Sequence, residues 1–228
     1  MSTKYELTTE TRVAHSGRTL SRIKALRDIP RHGVRSGDLG GWVESEKNLT
    51  HGGDAWIADD ASVWDNAHVG DDAHVGDDAR VWDDARVGGN AHVWGNARVE
   101  GNARVWGNAR VWGDARVWGD ARVWGDASVG DDAEILRTQH VLTIGPIGSE
   151  DKTFTIYRTK DGGHQAIVGC WGPGTLDELA TEVQRRKRDY WGGFSEAEIG
   201  RWEAQYRGAI TLGEAMAESW AAEQAVKR

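Results

Sequence analysis

From Ala55 to Ala133 an alanine recurs every sixth residue, and two positions after each comes a branched aliphatic residue, from Ile57 and Val63 to Val129 and Ile135. Fourteen such hexads follow one another without an insertion or deletion. A short fixed period means identical units stacked on one another, and a six-residue period specifies a parallel β-helix. Ala and Val stand two apart, so both side chains point to one face of a short strand, and that face is the interior. Ala is small because it lies near a narrow corner, while the branched Val suits the middle of a strand. The Gly-Asn, Gly-Asp and Asp-Asp pairs that follow tolerate the left-handed backbone of a sharp corner. Three hexads close one triangular coil, so residues about eighteen apart stack at about 4.8 Å.

The charge is unevenly placed. The net charge of −8 combines a mildly basic 1–53 (nine Lys/Arg, six Asp/Glu), a strongly acidic 54–135 (seven against seventeen) and a near-neutral 136–228 (twelve against thirteen). Nothing in this balance calls for a long nucleic acid as partner. The single Cys170 excludes an internal disulfide framework and suits a reducing compartment. No apolar run approaches the ~18 residues needed to cross a bilayer, and Met1 to Glu6 lack the apolar core of a signal peptide. A cytoplasmic location is the expectation.

Two outward positions flank each inward Val, which gives three pairs of columns. On the first side Ser62, Arg80, Arg98, Arg116 and Glu134 run beside Trp64, Trp82, Glu100 and Trp118; on the second, His68, Arg86, Arg104 and Arg122 run beside Gly70, Gly88, Trp106 and Trp124. The third carries Trp56, His74, His92, Arg110 and Ser128 beside Ala58, Gly76, Trp94, Trp112 and Gly130. Eight of the thirteen tryptophans therefore lie in the repeat, most of them predicted to face outward. Three readings are open. The columns are ladders that stiffen the solenoid, with Asp-rich corners neutralising the arginines. Or the indoles bury against sister subunits. Or they line a ligand groove in which indole stacks a base and guanidinium pairs with phosphate, with Arg104, Arg110, Arg122, Trp106, Trp112 and Trp124 as its residues.

The flanks differ from the repeat. Residues 1–53 read as a small β cap: Tyr5–Thr8 and Thr11–Ala14 lead to a turn at His15–Gly17 and a second strand, Arg18–Leu26. Val43 and Leu49 continue the six-residue beat at the Ala position. Residues 136–228 read as an α+β domain. Thr153–Arg158 and Gln165–Trp171 form a hairpin through Asp161-Gly-Gly, with Cys170 a buried strand residue. Three helix starts carry capping boxes, Thr175 with Glu178, Ser195 with Glu198 and Thr211 with Glu214. Leu176, Leu179, Ala180 and Val183 form one apolar stripe, and Ile199, Trp202 and Tyr206 another.

An aliphatic residue followed four positions later by a small one, as in Val63 with Ala67 and Val105 with Ala109, resembles the hexapeptide-repeat superfamily. The resemblance covers about a third of the chain. It implies a left-handed coil, against the usual right-handed crossover, and a homotrimer. The Gly37 to Ser45 lead-in (Gly-Asp-Leu-Gly-Gly-Trp-Val-Glu-Ser), the hexad run and the Ile144-Gly-Pro-Ile-Gly-Ser149, Tyr157-Arg-Thr and Gly169-Cys170 segments look like a group of phage and prophage hexapeptide proteins, sometimes labelled acyltransferases. That resemblance implies a host-cell cytoplasm and hands over no site residue.

Superfamily enzymes transfer an acyl group from acyl-CoA with a His general base, which here would be His92 or His74. A general base needs an orienting partner and a water-poor pocket; neither is legible, and the loop that breaks the repeat in such enzymes is missing. No metal-ligand spacing, phosphate-binding glycine loop or Ser or Cys nucleophile is present. The sequence thus points to a mainly β protein, a triangular parallel β-helix with a β cap and an α+β C-terminal domain, and to a non-catalytic binding protein for a host partner or an anionic, nucleotide-like molecule, with no cofactor. The alternatives are an acyltransferase and a rigid structural spacer.

Overall fold

A computed structural model of the chain describes residues 3–14 and 16–226; the predicted turn residue His15 lies outside the described residues. The chain divides into two compact units, one running to Asp132 with Leu136–Thr138 added, the other comprising Ala133–Ile135 and the residues from Gln139 on.

The first unit is a parallel β-solenoid preceded by an antiparallel sheet. Strands β1 (Tyr5–Val13), β2 (Thr19–Ala25) and β3 (Leu39–Val43) come first. Fourteen two-residue strands, β4 to β17, then recur every six residues from Trp56–Ile57 to Glu134–Ile135, the last belonging to the second unit. Residues eighteen apart pair in parallel, as in Arg86 with Arg104 and Arg104 with Arg122. The outward residue before Val donates its amide to the alanine carbonyl one coil on, as Arg104 does to Ala121 at 2.9 Å, and the one after Val donates to the Val carbonyl, as Trp106 does to Val123 at 2.8 Å. The inward Ala and Val side chains are at most 2 % exposed, so the solenoid core is a column of methyl groups.

The antiparallel sheet is continuous with one side of the prism. β1 pairs with β2 through a register shift between Leu7 and Thr11, β2 pairs with β3, and β3 pairs in parallel with the Ser62–Val63 strand. The lead-in register corrects the sequence expectation: Val43 and Leu49 stack on Val63 and Val69, not on the Ala column. Their offset of twenty residues shows that this first coil is two residues longer than the rest. Gly53 with Asp71 restores eighteen, since a Cβ on Gly53 would lie 2.1 Å from the Asp71 carbonyl oxygen. The buried Lys4 donates from Nζ to the Ala55 carbonyl at 2.6 Å, and burial pulls its pKa down to about 8.

At each corner the first of two turn residues has positive φ: Asp at 59, 65, 71, 77 and 83, Gly from 89 to 125, and Asp again at 131. At Gly107 (φ +75) an added Cβ would also meet Gly125 N at 2.8 Å, whereas at Gly125 (φ +65) nothing lies within 4 Å. Gly107→Ala is expected to cost about 2–3 kcal/mol, the left-handed strain of ~1–2 kcal/mol plus a coil displaced by a fixed backbone. Gly125→Ala should cost the strain alone, about 1 kcal/mol. Urea unfolding of both variants checks this, and equal losses would refute the close corner packing.

The second unit holds a four-stranded antiparallel sheet, β18 (Val141–Ile147), β19 (Lys152–Arg158), β20 (His164–Val168) and β21 (Trp171–Gly174), and two helices, α1 (Leu176–Asp189) and α2 (Glu196–Val226). Phe154, Ile156, Leu176, Leu179, Val183, Trp202, Tyr206 and Trp220 make its core. The Thr175–Glu178 and Ser195–Glu198 capping boxes both form. The expected third helix start is corrected, because Thr211 lies inside α2; the spacing of Tyr206, Ala209 and Trp220 keeps one buried face and overrides the local signal. Cys170 is corrected too: it occupies an exposed turn between β20 and β21, not a buried strand. No helix is long and apolar enough to cross a membrane.

Candidate functional site

The six residues expected to line a groove fall on two different sheets. Arg104, Trp106, Arg122 and Trp124 lie on the second side, whose strands begin at His68, Arg86, Arg104 and Arg122. Arg110 and Trp112 lie on the third side, with His74 and His92. The six are therefore divided between two sides of the prism.

The tryptophans also differ in exposure by position. Trp56 and Trp64 are 1 % and 5 % exposed, against the expectation that the columns face water. A Cβ on Gly40 of β3 would sit 2.5 Å from the Trp56 ring, and Trp64 joins Leu20 and Trp42 in a small core. The N-terminal sheet thus covers the first coils. Trp64 stacks on Trp82 with centroids 5.1 Å apart, and Trp94 stacks on Trp112 at 5.5 Å. Trp112 further lies over Gly130, and Trp106 over Gly88, where any side chain would collide with the indole. Trp106 and Trp124 remain 43 % and 55 % exposed.

In the reading that has corner aspartates neutralise the arginines, direct ion pairs would be expected. Among the described residues Arg80, Arg86, Arg98, Arg104, Arg110, Arg116 and Arg122 make no ion pair and no side-chain hydrogen bond. The corner carboxylates are turned along the prism instead. Asp71, Asp77 and Asp83 accept the amides of Gly89, Gly95 and Gly101 at 2.8, 2.9 and 3.1 Å. Asn66 donates to Asp84, and Asn90 through Asn108 to Asp126, in side-chain ladders. An acid engaged by the next coil's backbone satisfies a strained corner amide and is not directed at an arginine.

The second side is the most cationic of the three. Arg86, Arg104 and Arg122 stack on adjacent coils, and no carboxylate stands in its outward columns. The first side also stacks three arginines, but Glu100 lies among them; burial raises its pKa, while Arg116 and Arg98 draw it back down. Three like charges thus stack about one strand spacing, ~4.8 Å, apart along one face.

On the third side the structure brings His74 and His92 together, ring centroids 5.8 Å apart, and adds His32 from the short 3₁₀ turn Pro30–His32, 4.8 Å from His74 and 6.3 Å from His92. Sequence reasoning missed His32, because nothing in a six-residue beat signals a contact with a residue outside the repeat. His74 Nδ1 and His32 Nε2 are buried without a partner. Burial, then His32 and His92, pull the His74 pKa down to about 4, and burial lowers His92 as well. Such an imidazole is a weak base at neutral pH. Among the described residues no three His, Cys, Asp or Glu side chains are placed to hold a metal ion. The Arg185–Arg188 run at the end of α1 is spoken for by Glu182, Glu203 and Asp189.

No protein-family model matches the chain, and no curated protein matches it.

Proposed function

We propose that this chain is a non-catalytic binding protein of the hexapeptide-repeat kind, from a phage or prophage, that captures an anionic, nucleotide-like molecule on the second side of its prism. In this reading the coil is left-handed and the protein a homotrimer, as the superfamily resemblance implies. The observation that carries the reading is the stack of Arg86, Arg104 and Arg122 without a carboxylate partner beside two exposed indoles. Guanidinium pairs bidentately with phosphate oxygens, and Trp106 or Trp124 offers a face for a base.

Isothermal titration with nucleoside triphosphates and cyclic nucleotides tests it. Binding should weaken from 50 to 500 mM salt, because exposed charges are screened. Arg104→Ala and Trp124→Ala should each lower affinity about tenfold, consistent with ~1–3 kcal/mol for a charge-assisted contact or a stacked base. Arg110→Ala, on the other sheet, should leave it unchanged. Absence of nucleotide binding, or binding indifferent to Arg104→Ala, would overturn the reading. Stabilisation by coenzyme A that falls with His92→Ala would favour acyl transfer instead.

A further inference from the structure

We propose that a cavity between the end of β1 and the first side of the solenoid binds a small zwitterion of the free amino-acid class, its carboxylate on Arg80 and its ammonium on Asp78. The cavity measures about 200 Å³, room for roughly seven water-sized groups at ~30 Å³ each, which matches the non-hydrogen atoms of alanine, serine or valine.

Its wall is built. Arg12 reaches in from β1 and is fixed on three sides: it pairs with Asp60 at 3.2 Å, donates to Ser62 Oγ and lies 4.4 Å from the Trp42 ring. Burial lowers its pKa and Asp60 holds it up, while the neighbouring Arg80 lowers it again. Arg12 is therefore a satisfied strut whose charge is already matched by Asp60. Arg80 and Asp78 also line the cavity, and among the described residues neither side chain makes an ion pair or hydrogen bond, with each other or with anything else. Trp64, 5 % exposed, adds an indole wall.

One unused cation and one unused anion thus share a cavity with an indole wall. A carboxylate uses the cation; an ammonium uses the anion; a short side chain meets the indole and Val13. A phosphate would leave Asp78 as a repelling neighbour, which disfavours it. The residues differ from those of the nucleotide reading, so the two stand or fall separately.

The test is thermal shift and isothermal titration of the full chain with 10 mM alanine, serine and valine, and with propionate and propylamine as half-molecules. The expected result is stabilisation by an amino acid, none by either half, and an affinity loss of at least tenfold in both Arg80→Gln and Asp78→Asn. Val13→Trp, which fills the rim without altering charge, should abolish binding while the circular dichroism spectrum stays unchanged. Nucleotide binding should be indifferent to all three variants. No response to any amino acid, equal stabilisation by propionate, or binding that survives Arg80→Gln would overturn the proposal.

Discussion

Trp56→Ala is expected to destabilise the first unit by about 3–5 kcal/mol, the range for emptying a buried large aromatic site. Trp56 is 1 % exposed and fills the space under β3, where Gly40 is without a side chain because its Cβ would meet the indole at 2.5 Å and the Ile57 carbonyl oxygen at 2.6 Å. The site resists collapse, because Gly40 and Trp56 belong to strands fixed by parallel pairing, Val43 on Val63 and Trp56 on His74. The cavity therefore persists and its cost adds to the lost transfer energy. Trp124→Ala is the internal comparison. It removes the same side chain from the other outward position of the repeat, but Trp124 is 55 % exposed, and the cost should stay below about 1 kcal/mol. Urea unfolding monitored by circular dichroism separates the two, and a Trp56→Ala loss under 1 kcal/mol would refute burial under the N-terminal sheet.

That contrast marks where the sequence stops being informative. The hexads from Ala55 to Ile135 dictate stacked coils because each unit is a complete local instruction: two inward side chains, one corner, one strand. The inward columns follow from parity alone, and all of them are buried. Outward residues carry no such instruction. Trp64 and Trp124 both follow an inward Val, and their different exposures, 5 % and 55 %, depend on β1–β3, whose docking is a contact between residues far apart in the chain. The lead-in register is hidden from the sequence for a related reason. The six-residue beat of Val43 and Leu49 is real, but the extra residues between Leu49 and Gly53 move both onto the Val column.

The candidate site was legible as a list and not as a place. Sorting by side already separates Arg104 and Arg122 from Arg110, yet whether an arginine is neutralised depends on where a corner carboxylate turns. Asp71, Asp77 and Asp83 turn along the prism to glycine amides one coil on, which composition cannot reveal. The same holds for α2, where Thr211 and Glu214 are a good local start signal and packing of Ala209, Tyr206 and Trp220 carries the helix through it. Local chemistry proposes, and burial decides.

Acid should weaken the first unit through the histidine cluster. His74 packs between His32 and His92, with Asp59 and Asp77 favouring its protonated form, Arg31 and Arg110 near His92, and Asp54 and Asp72 near His32. Burial outweighs the carboxylates for His74, and burial lowers all three. An unfolded histidine takes up its proton near pH 6.5, whereas folded His74 does so only near pH 4. Between those values the unfolded chain holds more protons, so the contribution is complete above pH 6.5 and is lost as the pH falls toward 4. At ~1.36 kcal/mol per pH unit this approaches 3 kcal/mol, and partial solvent access brings it to about 2 kcal/mol. His74→Gln cannot titrate, and its stability should decline about 2 kcal/mol less than that of the parent between pH 7 and pH 4. The difference isolates His74 from the carboxylates, which protonate in both proteins. The first contact to give way should be the Ile29–Val34 turn that carries His32, seen as early amide hydrogen exchange there. Superimposable pH profiles for the two proteins would show that the cluster stores no such energy.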